Sequence, residues 1–183
     1  MAIALRTPRL ILREWRAADS EPFAAMSVDP QVMAMLPPLP DRAASDAWIA
    51  RMQAHCGEYG FAQWAVELPG EAPLIGAIGL NWVRSPFPFT PAIEIGWRLA
   101  QPYWGQGYAF EAARAALEDG FGRLGIDEIV AFTVPANRRS WRLMERLGMS
   151  RDPAEDFDHP RLAEGDPLRR HVLYRLRREG TRQ

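Results

Sequence analysis

Trp104-Gly105-Gln106-Gly107-Tyr108-Ala109 is the stretch whose residue types and spacing speak most directly of chemistry. Glycines at 105 and 107 let the backbone turn tightly and approach a guest closely. If a helix begins just beyond them, its free N–H groups and the positive end of its dipole make an anion site, and a pyrophosphate is the natural guest. A lone Gly-x-Gly is also how an ordinary helix can begin. The loop lacks the third glycine of a dinucleotide-binding turn. No Gly-Lys-Ser or Gly-Lys-Thr is present, which excludes a nucleoside-triphosphate P-loop.

Such a loop needs a strand leading in and a helix leading out. Residues 92–99 alternate as a strand does, with Ile93, Ile95, Trp97 and Leu99 on one face and Ala92, Glu94, Gly96 and Arg98 on the other. Gln101-Pro102 ends it, because proline has no donor for a ladder. Phe110, Ala113, Leu117, Phe121 and Leu124 then form one apolar stripe at helical spacing.

The remaining elements follow from the same rules. Residues 9–15 read as a first strand. Asp19 or Ser20 can cap a helix to about Ser27, and 31–36 is a short helical piece ended by Pro37-Pro38-Leu39-Pro40. That joint is either a corner or part of a pocket wall, with the corner slightly favoured. Asp41 can cap a helix over 42–55, ended by Gly57 and Gly60. Residues 61–68 and 74–80 are strands about the turn Pro69-Gly70-Glu71, and 83–91 is a proline-rich aromatic loop. Residues 128–134 are an apolar run suited to a central strand. Asn137 can cap a helix bearing Trp141, Met144 and Leu147 on one face, and Gly148 suits its C-terminal turn. Residues 152–167 are a charged loop, 171–176 a last strand, and the tail from Arg177 looks frayed. The order β-α-α-β-β-β-α-β-α-β-β predicts an α+β fold: one mixed, mostly antiparallel sheet of about seven strands with helices on both faces, in a single domain over 1–183.

Composition bounds the function. Of 183 residues, 48% are hydrophobic, enough to bury a full core, and the net charge of −1 gives no global pull toward nucleic acid or an anionic membrane. The one cysteine, Cys56, cannot form an internal disulfide, and its setting suits a buried thiol better than a nucleophile. No His/Asp/Glu cluster has metal-ligand spacing. The start lacks an apolar region of signal-peptide length, and no stretch is long enough to span a bilayer, so a reducing cytoplasm is the expected compartment.

Four stretches in order carry a family resemblance: Thr7-Pro-Arg-Leu-Ile-Leu-Arg13, Ile93-Glu-Ile-Gly-Trp97, Tyr103-Trp-Gly-Gln-Gly-Tyr-Ala-Phe-Glu-Ala112, and Asn137-Arg-Arg-Ser-Trp-Arg-Leu-Met-Glu-Arg-Leu-Gly-Met149. The chain resembles the Gcn5-related N-acetyltransferases (the GNAT superfamily), and within it the branch of the Rim-type ribosomal-protein N-terminal acetyltransferases, from residue 7 to about 177. The resemblance implies acetyl-coenzyme A as donor and an amine acceptor; no metal is expected, since no cluster has ligand spacing, and assembly as a homodimer stays open. The pyrophosphate would lie on Trp104, Gly105, Gln106, Gly107, Tyr108 and Ala109. The family pattern there is Arg or Gln, two residues, Gly, one residue, then Gly or Ala; Gly107 and Ala109 fit, and Trp104 departs from it. The pantetheine arm would pair with the main chain of Trp97 and Leu99 and meet Asn137, which also reads as a plain helix cap.

Acetyl transfer to an amine needs a proton acceptor, a donor for the tetrahedral oxyanion, and a proton for the leaving thiolate. Glu94, on a strand among isoleucines, is the candidate base, with a structural pairing to Arg98 or another arginine as the competing reading. The oxyanion donor falls to a backbone N–H near Trp97. Much of the superfamily uses a tyrosine as acid where this chain has Met144. Ser140, one helical turn earlier, has a hydroxyl and matches a serine given that role in the Rim-type branch; it could equally support the Asn137 cap. Asp158 or His159 in the charged loop is the second candidate base, while His55 and His171 look structural. The acceptor could be a small amine, slightly favoured, or a protein N-terminus, in a cleft shaped by the loops at 37–40 and 83–91. A non-catalytic acyl-CoA-binding module on the same fold is the alternative.

Overall fold

The structure is a computed structural model and describes residues 4–37, 39–84 and 86–178. Its strands are β1 (Ala4–Arg6), β2 (Ile11–Arg13), β3 (Gln63–Leu68), β4 (Ala72–Val83), β5 (Ala92–Leu99), β6 (Glu128–Thr133), β7 (Ser150–Arg151), β8 (Phe157–Asp158) and β9 (Arg170–Arg177). Its helices are α1 (Ser20–Ser27), α2 (Pro30–Met33), α3 (Arg42–Tyr59), α4 (Tyr108–Gly122) and α5 (Arg138–Arg146). All nine strands join one sheet in the order β1-β2-β3-β4-β5-β6-β9-β7, with β8 on β9. Among the described residues only β5 and β6 run parallel.

The expected elements are present, with shifted ends. Against the about seven strands expected, six of them placed in the sequence, the sheet has nine; the three additions are the N-terminal β1 and the two-residue β7 and β8, which have too few side chains to leave a period in the sequence. The expected strand over 9–15 is paired only over Ile11–Arg13. Gly57 does not end α3; Gly60 does, in a left-handed conformation at φ 75°. Asp41 caps that helix, accepting from the amide of Ala44 at 2.8 Å. The charged loop holds a 3-10 turn at Pro153–Glu155 and β8. Arg177 closes β9, and the Arg178 amide donates to the carbonyl of Asp127, so the fraying expected from Arg177 does not begin at these residues; 1–3 and 179–183 lie outside the described residues. Among the described residues no helix is long and apolar enough to cross a membrane.

Helices cover both faces of the sheet. On one, Ala112, Ala113, Ala116 and Leu117 of α4 pack on Ile93, Ile95 and Leu99 of β5 and on Leu80 and Ile129. The buried seam of α4 is thus a row of small residues, rotated from the stripe expected: Phe110 and Phe121 are only half-buried. Small residues bring the helix close to the sheet. At Gly120 an added Cβ would lie 2.8 Å from Leu80 and 2.9 Å from Ile129. On the other face Trp15, Phe23, Met26, Ile49 and Met52 cover Ala65, Leu74 and Ala77.

Arg13 joins the first strand to this second layer. Its guanidinium donates to both oxygens of Asp19 at 2.7 and 2.9 Å, to Glu67 and to the carbonyl of Pro73. The Arg13 and Asp19 side chains are 5% and 2% exposed, so neither has water to replace the other. Trp15 is held nearby by its indole bond to the carbonyl of Gln63 at 2.8 Å.

Candidate active site

β5 and β6 begin side by side and then part. They are paired only at Ile93–Ile129 and Glu94–Val130. Beyond that point β5 keeps its ladder to β4 as far as Leu99, while β6 keeps its ladder to β9 as far as Thr133. Main-chain groups of β5 facing the gap therefore have no strand partner, and such groups seek hydrogen bonds from whatever enters. The gap opens into a cleft of about 1480 Å³. Its wall includes Glu94, Trp97, Leu99, Trp104, Gly105, Gly107, Tyr108, Ala109, Asn137 and Ser140, but not Gln106 or the second candidate bases Asp158 and His159. Gln106 faces away: its carboxamide donates to the carbonyl of Pro102, and its own carbonyl accepts from Arg9.

One end of the cleft is built for anions. Gly105 and Gly107 take the left-handed conformation, at φ 75° and 83°, and carry the chain from a 3-10 turn into α4. No side chain caps α4. Its first internal bond runs from the Glu111 amide to the carbonyl of Gly107, so the preceding amides have no partner inside the helix. A Cβ on Gly105 would meet nothing within 4 Å, which leaves the loop open to a guest. Across the gap α5 presents Arg138, Arg139, Arg142 and Arg146 to the same space. Their spacing of three and four residues puts them along one helix face. That signal was available in the sequence and was missed.

The loop is held by residues whose roles only the fold reveals. Trp104, the departure from the family pattern, donates its indole N–H to the carbonyl of Leu99 at 2.8 Å and lies beneath the guanidinium of Arg139 at 4.8 Å. Glu111 accepts from the hydroxyl of Thr7 at 2.6 Å and from the amide and side chain of Arg9 at 2.9 and 2.7 Å. Burial works to raise the Glu111 carboxyl, but these bonds outweigh it and hold the group below the usual carboxylate range. Arg9 also stacks on Tyr108, so the Thr7–Arg9 segment clamps the glycine turn from outside.

Asn137 and Ser140 stand at the mouth of the gap. The Asn137 side chain caps α5, accepting from the Ser140 amide at 3.3 Å, and its amide group donates to Thr133 at 2.9 Å. The Ser140 hydroxyl takes no part in the cap. It is 9% exposed, and its oxygen accepts from the indole of Trp97 at 3.1 Å, leaving its own proton to donate. Met144 lies behind it, 1% exposed and unable to supply a proton.

Glu94 lies at the junction where the strands part, on the face covered by α1 to α3. Its strand neighbours are Asn81 and the buried Val130. No described residue hydrogen-bonds or ion-pairs with its carboxylate, so the expected alternative of pairing with Arg98 is not realised. Burial without compensation pushes its carboxyl up to about 8. Arg98, two positions beyond Gly96 on the same face, is pushed down to about 10 by burial.

Other expectations are redirected. Pro37 and Leu39 line the cleft, so the proline-rich joint is a pocket wall rather than a corner; Pro38 lies outside the described residues. The described residues of the 83–91 loop do not line the cleft. Phe87 and Phe89 instead pack against Phe132 and Phe157; Ser85 lies outside the described residues. Asp158 pairs with Arg169 and Arg170, and His159 meets the Phe87 ring edge-on and lies tilted against His171, all away from the cleft. His55 and His171 make structural bonds, to the carbonyls of Phe61 and Arg169. Cys56 is half-buried in the last turn of α3, where burial pushes its thiol up.

Comparison with known proteins agrees with this fold. The acetyltransferase (GNAT) domain family matches residues 9–150. Protein YkkB of Bacillus subtilis is 32% identical over 146 residues, covering 79% of this chain and 84% of its own. The crystal structure of a GNAT-family acetyltransferase from Bacillus anthracis superposes with a TM-score of 0.78 at 26% identity, covering 96% of this chain and 98% of that one. RimJ of Mycobacterium smegmatis, solved in complex with CoA-disulfide, shares the fold with a TM-score of 0.76 at 19% identity, covering 100% and 89% of the two chains.

Proposed function

The chain belongs to the GNAT acetyltransferase family, and on that premise we propose that it moves an acetyl group from acetyl-coenzyme A to a primary amine. The observation that carries this reading is the parted β5–β6 pair, with an open glycine loop and an arginine-lined helix at one end and an unpaired, desolvated carboxylate at the other. The first suits a long, polyanionic donor. The second suits a proton acceptor poised near neutral pH.

In this reading the donor's pyrophosphate rests on the amides of Gly105 to Ala109, and its pantetheine arm runs along the free edge of Trp97 and Leu99 to Asn137. Glu94 takes a proton from the acceptor ammonium, directly or through a water. The amine nitrogen attacks the thioester carbonyl, whose oxygen gains negative charge and accepts from a backbone N–H near Trp97. As the carbonyl re-forms the C–S bond breaks, the departing thiolate takes the Ser140 proton, and the second proton of the attacking nitrogen passes to the Ser140 oxygen, directly or through a water, so that the amide and the serine hydroxyl are both restored. Trp97 supports that role by holding the serine oxygen. The whole of 1–183 is taken as one acyl-transfer unit, and a reducing cytoplasm fits its single cysteine.

The test is release of free coenzyme A thiol from acetyl-CoA across a library of small amines and peptide N-termini. Turnover with at least one class is expected. Tight acetyl-CoA binding with no turnover on any amine would point instead to an acyl-CoA-binding module, for which the buried Met144 leaves room.

A further inference from the structure

The acceptor end of the cleft carries a second unsatisfied charge. Glu94, Gly96 and Arg98 share one face of β5, the face turned toward α1 and α3. Arg98 lies over the rings of Phe23 and Trp48 at 5.6 and 5.7 Å, and its one hydrogen bond is a long one of 3.4 Å to the Ser27 hydroxyl. No carboxylate pairs with it among the described residues. Two other guanidiniums shielded from water are each held by two carboxylates: buried Arg13 by Asp19 and Glu67, half-buried Arg175 by Glu128 and Glu155. A guanidinium has five donors, and leaving them idle in a partly desolvated site is costly.

Between Glu94 and Arg98 the wall is made by a side chain from two strands away. Gln63, Gly79 and Gly96 sit opposite one another across β3, β4 and β5. With no side chain at either glycine, the Gln63 carboxamide reaches across the sheet: a Cβ on Gly96 would lie 2.3 Å from its nitrogen. This carboxamide hydrogen-bonds to no described residue, and it lines the cleft with Glu94 and Arg98. Arg51, on α3, also lines the cleft, as do the apolar Val32, Leu36 and Trp48. The phosphate-binding features described above are elsewhere, on the glycine loop, the start of α4 and the arginine face of α5, so Arg98 is not needed there.

We propose that the acceptor is a primary amine bearing a carboxylate, which pairs with Arg98 and accepts from the Gln63 carboxamide while the amine faces Glu94. This rests on the acetyl-transfer reading for the role of Glu94. Four residues of strand span about 13 Å between Cα positions, which suits an amine and carboxylate several bonds apart. An ω-amino acid offers that spacing, and so does a peptide whose acidic side chain lies close to its N-terminus.

The experiment compares each carboxylate-bearing amine with its own carboxamide, in two arms: ω-amino acids of graded length, and short peptides with Asp or Glu against Asn or Gln near the N-terminus. Both kcat/KM with acetyl-CoA and binding to protein saturated with coenzyme A are measured. In the arm that holds the true acceptor, the acid should be favoured about thirtyfold or more, the scale of a desolvated charge pair. Arg98→Gln should bring that preference to within about threefold, and Gln63→Ala should reduce it. Arg98→Lys, which keeps the charge, should retain much of it and guards against a misfolded glutamine variant. Equal handling of acid and carboxamide in both arms overturns the inference. So does a preference that survives Arg98→Gln, or an Arg98→Gln effect confined to the KM for acetyl-CoA. Carboxylate-selective binding without turnover would sustain this inference and overturn acetyl transfer; turnover without selectivity would do the reverse.

Discussion

The indole N–H of Trp97 donates to the hydroxyl oxygen of Ser140 at 3.1 Å, tying the free edge of β5 to the first turn of α5. This bond crosses the gap in which the thioester would lie. It fixes the serine oxygen as an acceptor and thereby leaves the serine proton to point elsewhere.

Ser140→Ala should therefore lower kcat about tenfold while leaving the KM for acetyl-CoA within about twofold. The effect is modest for acid catalysis because a coenzyme A thiolate is already a fair leaving group. Steady-state thiol release checks it, and wild-type turnover would remove the acid role. Trp97→Phe keeps the hydroxyl but frees its rotor, and should lower kcat less than Ser140→Ala.

Glu94 should write its titration into the pH profile. A base pushed up to about 8 is protonated below that pH, so kcat/KM should fall about tenfold per unit as pH drops from 8 toward 6 and level off above 8. Glu94→Gln should cost on the order of 100-fold at neutral pH and abolish this limb, with acetyl-CoA affinity intact. An unchanged profile in the variant would reassign the base.

The same shift predicts a stability effect of opposite sense. With its folded pKa raised above the ordinary carboxylate value, Glu94 binds more protons in the native state than in the unfolded chain between about pH 4.5 and 8. Its contribution is thus full at low pH and is lost as pH rises through that window. Glu94→Gln should stabilise the protein by roughly 1–3 kcal/mol at pH 8.5 relative to wild type, with less effect at pH 5. Urea titrations at the two pH values test this.

Asp19→Ala should destabilise the fold by about 3–5 kcal/mol. It strands the Arg13 guanidinium, 5% exposed, with one carboxylate fewer. Denaturant midpoints should drop accordingly, and because this pair is remote from the cleft wall, turnover of the folded fraction should be near that of wild type.

Glu111→Ala should loosen the glycine turn. It removes the acceptor shared by Thr7 and Arg9, and Arg9 in turn holds the carbonyl of Gln106. The KM for acetyl-CoA should rise several-fold with a smaller change in kcat, together with a stability loss of about 1–2 kcal/mol.

Local pattern carried far in this chain. Alternation at 92–99, the Gln101-Pro102 break, the glycines at 105 and 107, and the Asp41 and Asn137 caps all act within a few residues of themselves, and each appears in the structure where the sequence implies it. β1, β7 and β8 were missed because two or three residues leave no period to detect; their pairing is decided by β2 and β9. Gly57, a helix breaker by propensity, stays inside α3 because packing of Ile49 and Met52 outweighs a cost of about 1 kcal/mol.

What the sequence determined by itself was the order of the longer elements, a strand–glycine loop–helix of the kind suited to an anion, and Glu94, Asn137 and Ser140 as candidate groups for chemistry. What only the tertiary structure decided was which groups meet. Gln63 reaches Gly96 across two strands, Thr7 and Arg9 brace Glu111 more than a hundred residues away, Trp97 finds Ser140 over the gap, and the 83–91 loop and His159 turn out to face elsewhere. The reason is physical: propensity, capping and periodicity are set by neighbours in the chain. The desolvation of Glu94 and the unpaired state of Arg98 are set instead by side chains that sheet register and strand parting bring together from distant sequence.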